Sequence, residues 1–317
     1  MDTKTALRNI TVFTWIAALA CTALTGCNAS FVEVVVEPPT DEPTNEVPIA
    51  IPPQGSAGGV SGTLDPTFGV QGIATVFAPG PGNLNAYGRS GTVQADGKLL
   101  MAGSAGVLNY LVRLQSDGTL DLTFGAGTGY TTFDSGVVSS FLDVIVQPDQ
   151  KILLAGVMKP SANVSEMFVA RYLPNGTLDN QFGGDYDANL IRDGFYRSQV
   201  GAKYGGARKV LALANGSIVL SGYFWNEMGT ITTTDDNEDL ALLKLTPQGD
   251  LDTNFGTAGL VRLDLEAGSR EVARDLAEQP DGKIVVVGSK YKSPSHRFTM
   301  LRLLANGALD TTFADQG

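Results

Sequence analysis

The sequence predicts an all-β chain: a β-propeller of four-stranded antiparallel blades, with four complete blades in 317 residues. Three observations carry this. One phrase recurs five times, as GTLDPTFGVQG at 62–72, GTLDLTFGAGTG at 118–129, GTLDNQFGG at 176–184, GDLDTNFGTAG at 249–259 and GALDTTFADQG at 307–317. Its phenylalanines, Phe68, Phe124, Phe182, Phe255 and Phe313, lie 56, 58, 73 and 58 residues apart. Such a period marks a repeat architecture. Between phrases the apolar runs are short and β-branched, broken by Asp-Gly and Asn-Gly turns, and 3.6-residue periodicity is lacking beyond the N-terminal segment.

The elements follow in order along the chain. Residues 1–26 carry Lys4 and Arg8 ahead of a mostly apolar stretch over 10–24, too short to span a bilayer and suited to a signal-peptide core. It ends in Leu24-Thr25-Gly26-Cys27, which resembles the bacterial lipobox. The resemblance implies cleavage between Gly26 and Cys27, a lipid (palmitate-type) anchor on Cys27, and, with Asn28 following, sorting to the outer membrane. Cys21 lies within the discarded segment, so the mature chain keeps a single cysteine and has no internal disulfide. Residues 27–59 hold Pro38, Pro39, Pro43, Pro48, Pro52 and Pro53 and five acids without one lysine or arginine. This composition predicts a disordered tether, with a reach on the order of 100 Å in extended form.

The repeats fill 60–317, with units near 60–117, 118–175, 176–248 and 249–306 and the start of a fifth at 307–317. In each unit the phrase is expected to be followed by a short strand (72–77, 130–133, 194–200, 260–265). Next comes a strand ending in a polar turn: VQADGK at 93–98, VQPDQK at 146–151, LANGS at 213–217 and EQPDGK at 278–283. An apolar strand (99–103, 152–156, 218–222, 284–288) and a last strand (110–114, 168–173, 240–245, 298–303) complete the unit. In the phrase, Leu and Phe are expected to share one gap, the Asp between them to cap a tight turn, and the Gly after Phe to take a positive φ. Arg113, Arg171 and Arg302 recur once per repeat, which points to structural pairing with the repeat aspartates.

The combination G-x-L-D-x-x-F-G, then Q-P-D-G-K-I, then an R-L or R-Y strand end resembles the delta-60 repeat family of bacterial β-propellers over roughly 60–317. The third unit departs most, with Asn215-Gly216-Ser217 in place of Asp-Gly-Lys and Lys244 in place of arginine. The resemblance implies fold and export and supplies no catalytic motif.

Function is less legible. Loss of residues 1–26 removes two positive charges and one negative, moving the net charge from −11 to −12. An acidic surface speaks against nucleic acid as a partner. Antiparallel connectivity puts the phrase and the Asp-Gly-Lys turn on one face and the irregular connections on the other, where recognition is expected. The insertion 225–239 on that face carries Trp225 and the acids Asp235, Asp236, Glu238 and Asp239, a candidate binding or cation loop; calcium is the ion it would suit. A solvated hairpin tip is the plainer account of the same residues. Asp185, Asp187 and Asn189 begin like an EF-hand loop, but Leu190 and Tyr196 fall where glycine and glutamate are required. His296, the one histidine, sits in a Lys-Ser-Pro-Ser-His segment read as a surface loop, and no nucleophile, cofactor fingerprint or confident metal site stands out. The expectation is therefore a membrane-anchored binding or scaffold module for a protein or glycan ligand, without catalysis and without a cofactor; the alternative is an exported hydrolase of polysaccharide or peptide. Five phrases enclose four units, so the ring is expected to be incomplete or truncated, with closure at four blades or by another chain as the other possibilities.

Overall fold

A computed structural model describes residues 62–76, 86–105, 108–184, 192–198, 204–225 and 238–314. The signal segment with Gly26 and Cys27, the tether, Asp185, Asp187, Asn189, Asp235 and Asp236 lie outside them. The described residues form fifteen strands and no helix.

The strands make four antiparallel sheets. The first is β1 (Ala86–Val93), β2 (Leu99–Ala105), β3 (Leu108–Leu114) and β4 (Tyr130–Phe133), paired in that order. The second is β5 (Val138–Val146), β6 (Ile152–Ser161), β7 (Val164–Tyr172) and β8 (Phe195–Arg197). The third is β9 (Tyr204–Ala212), β10 (Ile218–Trp225), β11 (Glu238–Leu245) and β12 (Leu260–Leu263). The fourth holds three strands among the described residues: β13 (Arg270–Glu278), β14 (Ile284–Lys292) and β15 (Ser295–Leu303). The innermost strands β1, β5, β9 and β13 are neighbours in turn, and no strand pairing joins the fourth sheet to the first among the described residues. These are four propeller blades in an arc that hydrogen bonds do not close.

The apolar runs are continuous because each inner blade is buried on both faces. On β6, Ile152 and Leu154 pack toward the first blade while Leu153 and Ala155 pack toward the third. Three cores result, one between each successive pair of sheets. Each receives one phrase phenylalanine, Phe124, Phe182 or Phe255, all without solvent exposure. Burial of such a ring contributes about 2–3 kcal/mol.

The structure corrects several local expectations. The strand after the phrase does not open its own unit: β4, β8 and β12 pair with β3, β7 and β11, completing the preceding blade. Where 72–77 was expected to be a strand, Ile73 makes only isolated bridges to Gly69 and Val70. The phrase leucine does not share the gap of the phenylalanine. It folds back on the strand before it, as in the Leu114–Leu120 and Leu245–Leu251 bridges, and Leu120 and Leu178 stay partly exposed. The segment around His296 is not a loop, since β14 and β15 run to a tight hairpin at 293–294 and the His296 ring lies tilted against Tyr291, centroids 4.3 Å apart.

Candidate functional site

The two faces of the arc differ in chemistry. On the phrase face, the repeat aspartate organises a fixed lattice. Asp121 accepts from the N–H and hydroxyl of Thr123, at 3.0 and 2.7 Å, which caps the turn as expected. Its other oxygen takes Arg113 Nε at 2.7 Å and Lys98 Nζ at 3.1 Å. Asp179 with Arg171 and Lys151, and Asp310 with Arg302 and Lys283, repeat the arrangement. Each arginine also lies over the phenylalanine of its phrase, at 4.5, 4.3 and 4.6 Å.

Arg113 and Arg171 donate onward to Pro174 O and Pro247 O of the following blade, and Gly125, Gly183 and Gly256 donate to Asn175, Gln248 and Asn306 of the next turn. Gly125 has φ 62°, and a Cβ there would meet Tyr130 O at 1.8 Å, which explains the glycine after the phenylalanine in the first four phrases; in the fifth, Ala314 takes the same conformation at φ 48°. Burial works to raise the Asp121 and Asp179 carboxyls, but hydrogen bonds from Thr123 and Gln181 and the adjoining cations outweigh it and hold both below the usual carboxylate range. With Asp121, Asp179 and Asp310 each held by an arginine and a lysine and themselves buried, this face is scaffold. The recurrent arginines are structural, as their spacing implied.

The opposite face is irregular. At each blade junction the beginning of a third strand meets the beginning of the next innermost strand. Between blades one and two, Asn109 Nδ2 donates to Ser139 Oγ at 2.7 Å and Asn109 Oδ1 accepts from Phe141 N at 3.1 Å. Between blades two and three, Gly205 N donates to Ser165 Oγ at 3.1 Å. Between blades three and four the neutral partners are gone. Carboxylate oxygens of Asp239 (β11), Asp264 (just past β12) and Glu271 (β13) all lie within 4.8 Å of one another.

Arg262 pairs with Asp239, and Arg270 Nε with Glu238 at 2.6 Å. Glu271 is fully buried; Oε1 accepts from Ser269 Oγ, whereas Oε2 has no hydrogen-bond partner among the described residues. Burial pushes the Glu271 carboxyl up; the Ser269 bond and Lys290 work against it, while Asp264 and Asp239 add to it. In blade two, Glu166 and Arg197 occupy the registers of Asp239 and Arg262, 3.9 Å apart, and burial again pushes the glutamate up.

Of the five residues singled out in 225–239, three are described. Trp225 ends β10 and packs on Tyr204 at 5.2 Å; its buried indole N–H has no acceptor among the described residues. Glu238 stands across from Trp225 in register and Asp239 across from Phe224. Glu238 and Asp239 are thus drawn to arginines of adjacent strands and do not form a separate acidic tip. Asp264 and Glu271 were missed because the first falls within the strand expected over 260–265 and the second between that strand and the turn at 278–283, where no motif marks it. A further missed residue is Asp143, buried just past the β5 bulge, which accepts from Ser90 of the first blade and from Lys209 and Val210 N of the third. No tandem spacing signals it, since the positions after the corresponding bulges hold Ser90, Asp143, Lys209 and Asp275.

Four stretches, 94–124, 147–182, 213–255 and 279–313, match the model of the β-propeller domain of unknown function DUF5122. The chain is a β-propeller repeat protein. No curated protein matches it. Among solved structures the propeller is similar to an endo-arabinase from Bacteroides thetaiotaomicron VPI-5482 (10% identity, TM-score 0.42, 70% of this chain and 79% of that one). It is also similar to a GH43_1 enzyme from Xanthomonas citri (12%, 0.37, 70% and 75%). A third is an engineered GH43 glycoside hydrolase with endo-xylanase and exo-arabinofuranosidase activity (12%, 0.38, 74% and 42%). The expectation of a chain without catalysis is corrected on this point: enzymes stand among the structural neighbours. At these identities and TM-scores no substrate and no residue role carries over.

Proposed function

We propose that the chain is an envelope-anchored propeller that engages an extracellular polysaccharide with its irregular face. The observation that carries this is the division of labour between the faces. The phrase face locks Asp121, Asp179 and Asp310 to its recurrent arginines, whereas the irregular face gathers Trp225, Tyr204, Glu238, Arg270 and the carboxylates of the blade three–four junction. Flat aromatic rings flanked by a few charged groups suit sugar rings, which present apolar C–H faces and a rim of hydroxyls. The delta-60 resemblance, the lipobox ending at Cys27 and the proline-rich tether agree with display outside the cell.

Hydrolysis of the bound polymer is the second reading. Asp239 and Glu271 approach the separation used by retaining glycosidases, about 5–5.5 Å. Glu271 is fully buried and Asp239 nearly so, and therefore a catalytic pair requires carboxylates better open to substrate than this one.

Affinity electrophoresis of the mature chain against neutral and acidic polysaccharides, with reducing ends assayed in parallel, tests both readings. Retardation that weakens about tenfold or more in Trp225→Ala supports engagement by this face. New reducing ends from the purified protein establish hydrolysis, and neither retardation nor turnover on any polymer overturns the proposal. The anchor is tested separately: labelled palmitate incorporates into the wild type and is lost in Cys27→Ala, while incorporation that survives the substitution refutes lipidation at Cys27.

A further inference from the structure

The junction between the third and fourth blades is built differently from the other two. Where Asn109–Ser139 and Ser165–Gly205 hydrogen bonds seal the first two junctions, the third brings Asp239 and Glu271 together with Asp264 at its rim. Three carboxylates in one place repel one another unless a positive charge sits between them. Arg262 is committed to Asp239, Arg270 to Glu238 at 2.6 Å and Lys290 to Glu266 at 3.0 Å.

A second, independent feature marks the cluster. Glu271 has no solvent exposure, yet its Oε2 has no hydrogen-bond donor among the described residues. A buried carboxylate oxygen without a partner is costly, on the order of 1–3 kcal/mol or more, and its persistence calls for an explanation. We propose that Asp239, Asp264 and Glu271 form a Ca2+ site that joins the third blade to the fourth.

The ligand set argues for Ca2+: three hard carboxylate oxygens from two sheets, gathered within 4.8 Å of one another, suit the flexible, oxygen-rich coordination of Ca2+, whereas Mg2+ demands a near-ideal octahedron and gives up its waters reluctantly. Two ligands, on β11 and β13, belong to different blades, and the third follows the outer strand β12. Binding therefore stabilises the contact between sheets. The exposed Asp264 leaves a route for entry and positions for water, as Ca2+ coordination requires.

The test uses the full mature chain, stripped with EDTA and then titrated with Ca2+ or Mg2+, reading heat by calorimetry and the thermal midpoint by scanning. At a hundredfold excess over Kd, Ca2+ is expected to raise the midpoint by roughly 5–10 °C, and Mg2+ by much less. Glu271→Gln and Asp264→Asn are both expected to lose most of the Ca2+ shift. Asp264→Asn keeps the test decisive if the buried variant folds poorly, because Asp264 is exposed. Absence of any Ca2+ heat and shift in the wild type overturns the site, and so does a shift that both variants retain. A Glu271→Gln protein as stable without Ca2+ as the wild type is with it also overturns the site, since a shared proton then explains the pair.

Discussion

At the scale of single residues, the phrase aspartate explains why the motif is repeated. Asp121 is the point where the Thr123 cap, Arg113 and Lys98 meet, and Arg113 in turn covers Phe124. Its removal strands a buried guanidinium, so Asp121→Ala is expected to cost about 3–5 kcal/mol in urea unfolding. A loss under about 1 kcal/mol contradicts the assignment.

The same residues set the acid limb of the stability curve. Asp121 and Asp179 are held below their unfolded value of about 3.9. Their stabilisation is complete above about pH 5 and drains away as pH falls toward their folded values. The thermal midpoint should fall between about pH 5 and 2, less steeply in Asp121→Asn than in the wild type; parallel curves count against it. The phrase Asp, the glycine with positive φ and the recurrent arginines were legible because a repeat writes each requirement several times. Glu271 and Asp143 were not, because each meets its partners from other blades at a position the neighbouring repeats fill differently.

At the scale of elements, the period was legible but its phase was not. Antiparallel pairing of the post-phrase strand with the strand before the phrase is a long-range choice, and both assignments satisfy the same turn chemistry. The third blade shows the effect of a lapse in the repeat. Lys244 reaches Asp252 at 3.2 Å and lies over Phe255 at 5.5 Å, and Ser217 stands where the other blades supply a lysine. Beside Lys244 is a cavity of about 480 Å3, lined among others by Ala305, the counterpart of Pro174 and Pro247 whose carbonyls the arginines reach. Lys244→Arg is therefore expected to restore the bridge to the next blade and to stabilise by about 1 kcal/mol in urea unfolding. A neutral or destabilising outcome removes the bridge from the account.

At the scale of the whole molecule, three interblade cores and a chain of phrase-to-turn bonds make the arc, and the interblade contacts that differ from junction to junction gather on the face away from the phrases. Propeller architecture was readable from the period, and the sorting of the connections onto two faces from antiparallel connectivity. The ligand was not, because no repeat constrains residues that occur once.

The division between a scaffold face and a working face is tested most directly by amide hydrogen exchange of the mature chain with and without a polysaccharide that retards it. The account predicts new protection at 223–225, 238–240 and 264–272, with the phrase turns at 121–125, 179–183 and 252–256 unchanged. Protection centred on those phrase turns, with 238–240 and 264–272 unaffected, would contradict it.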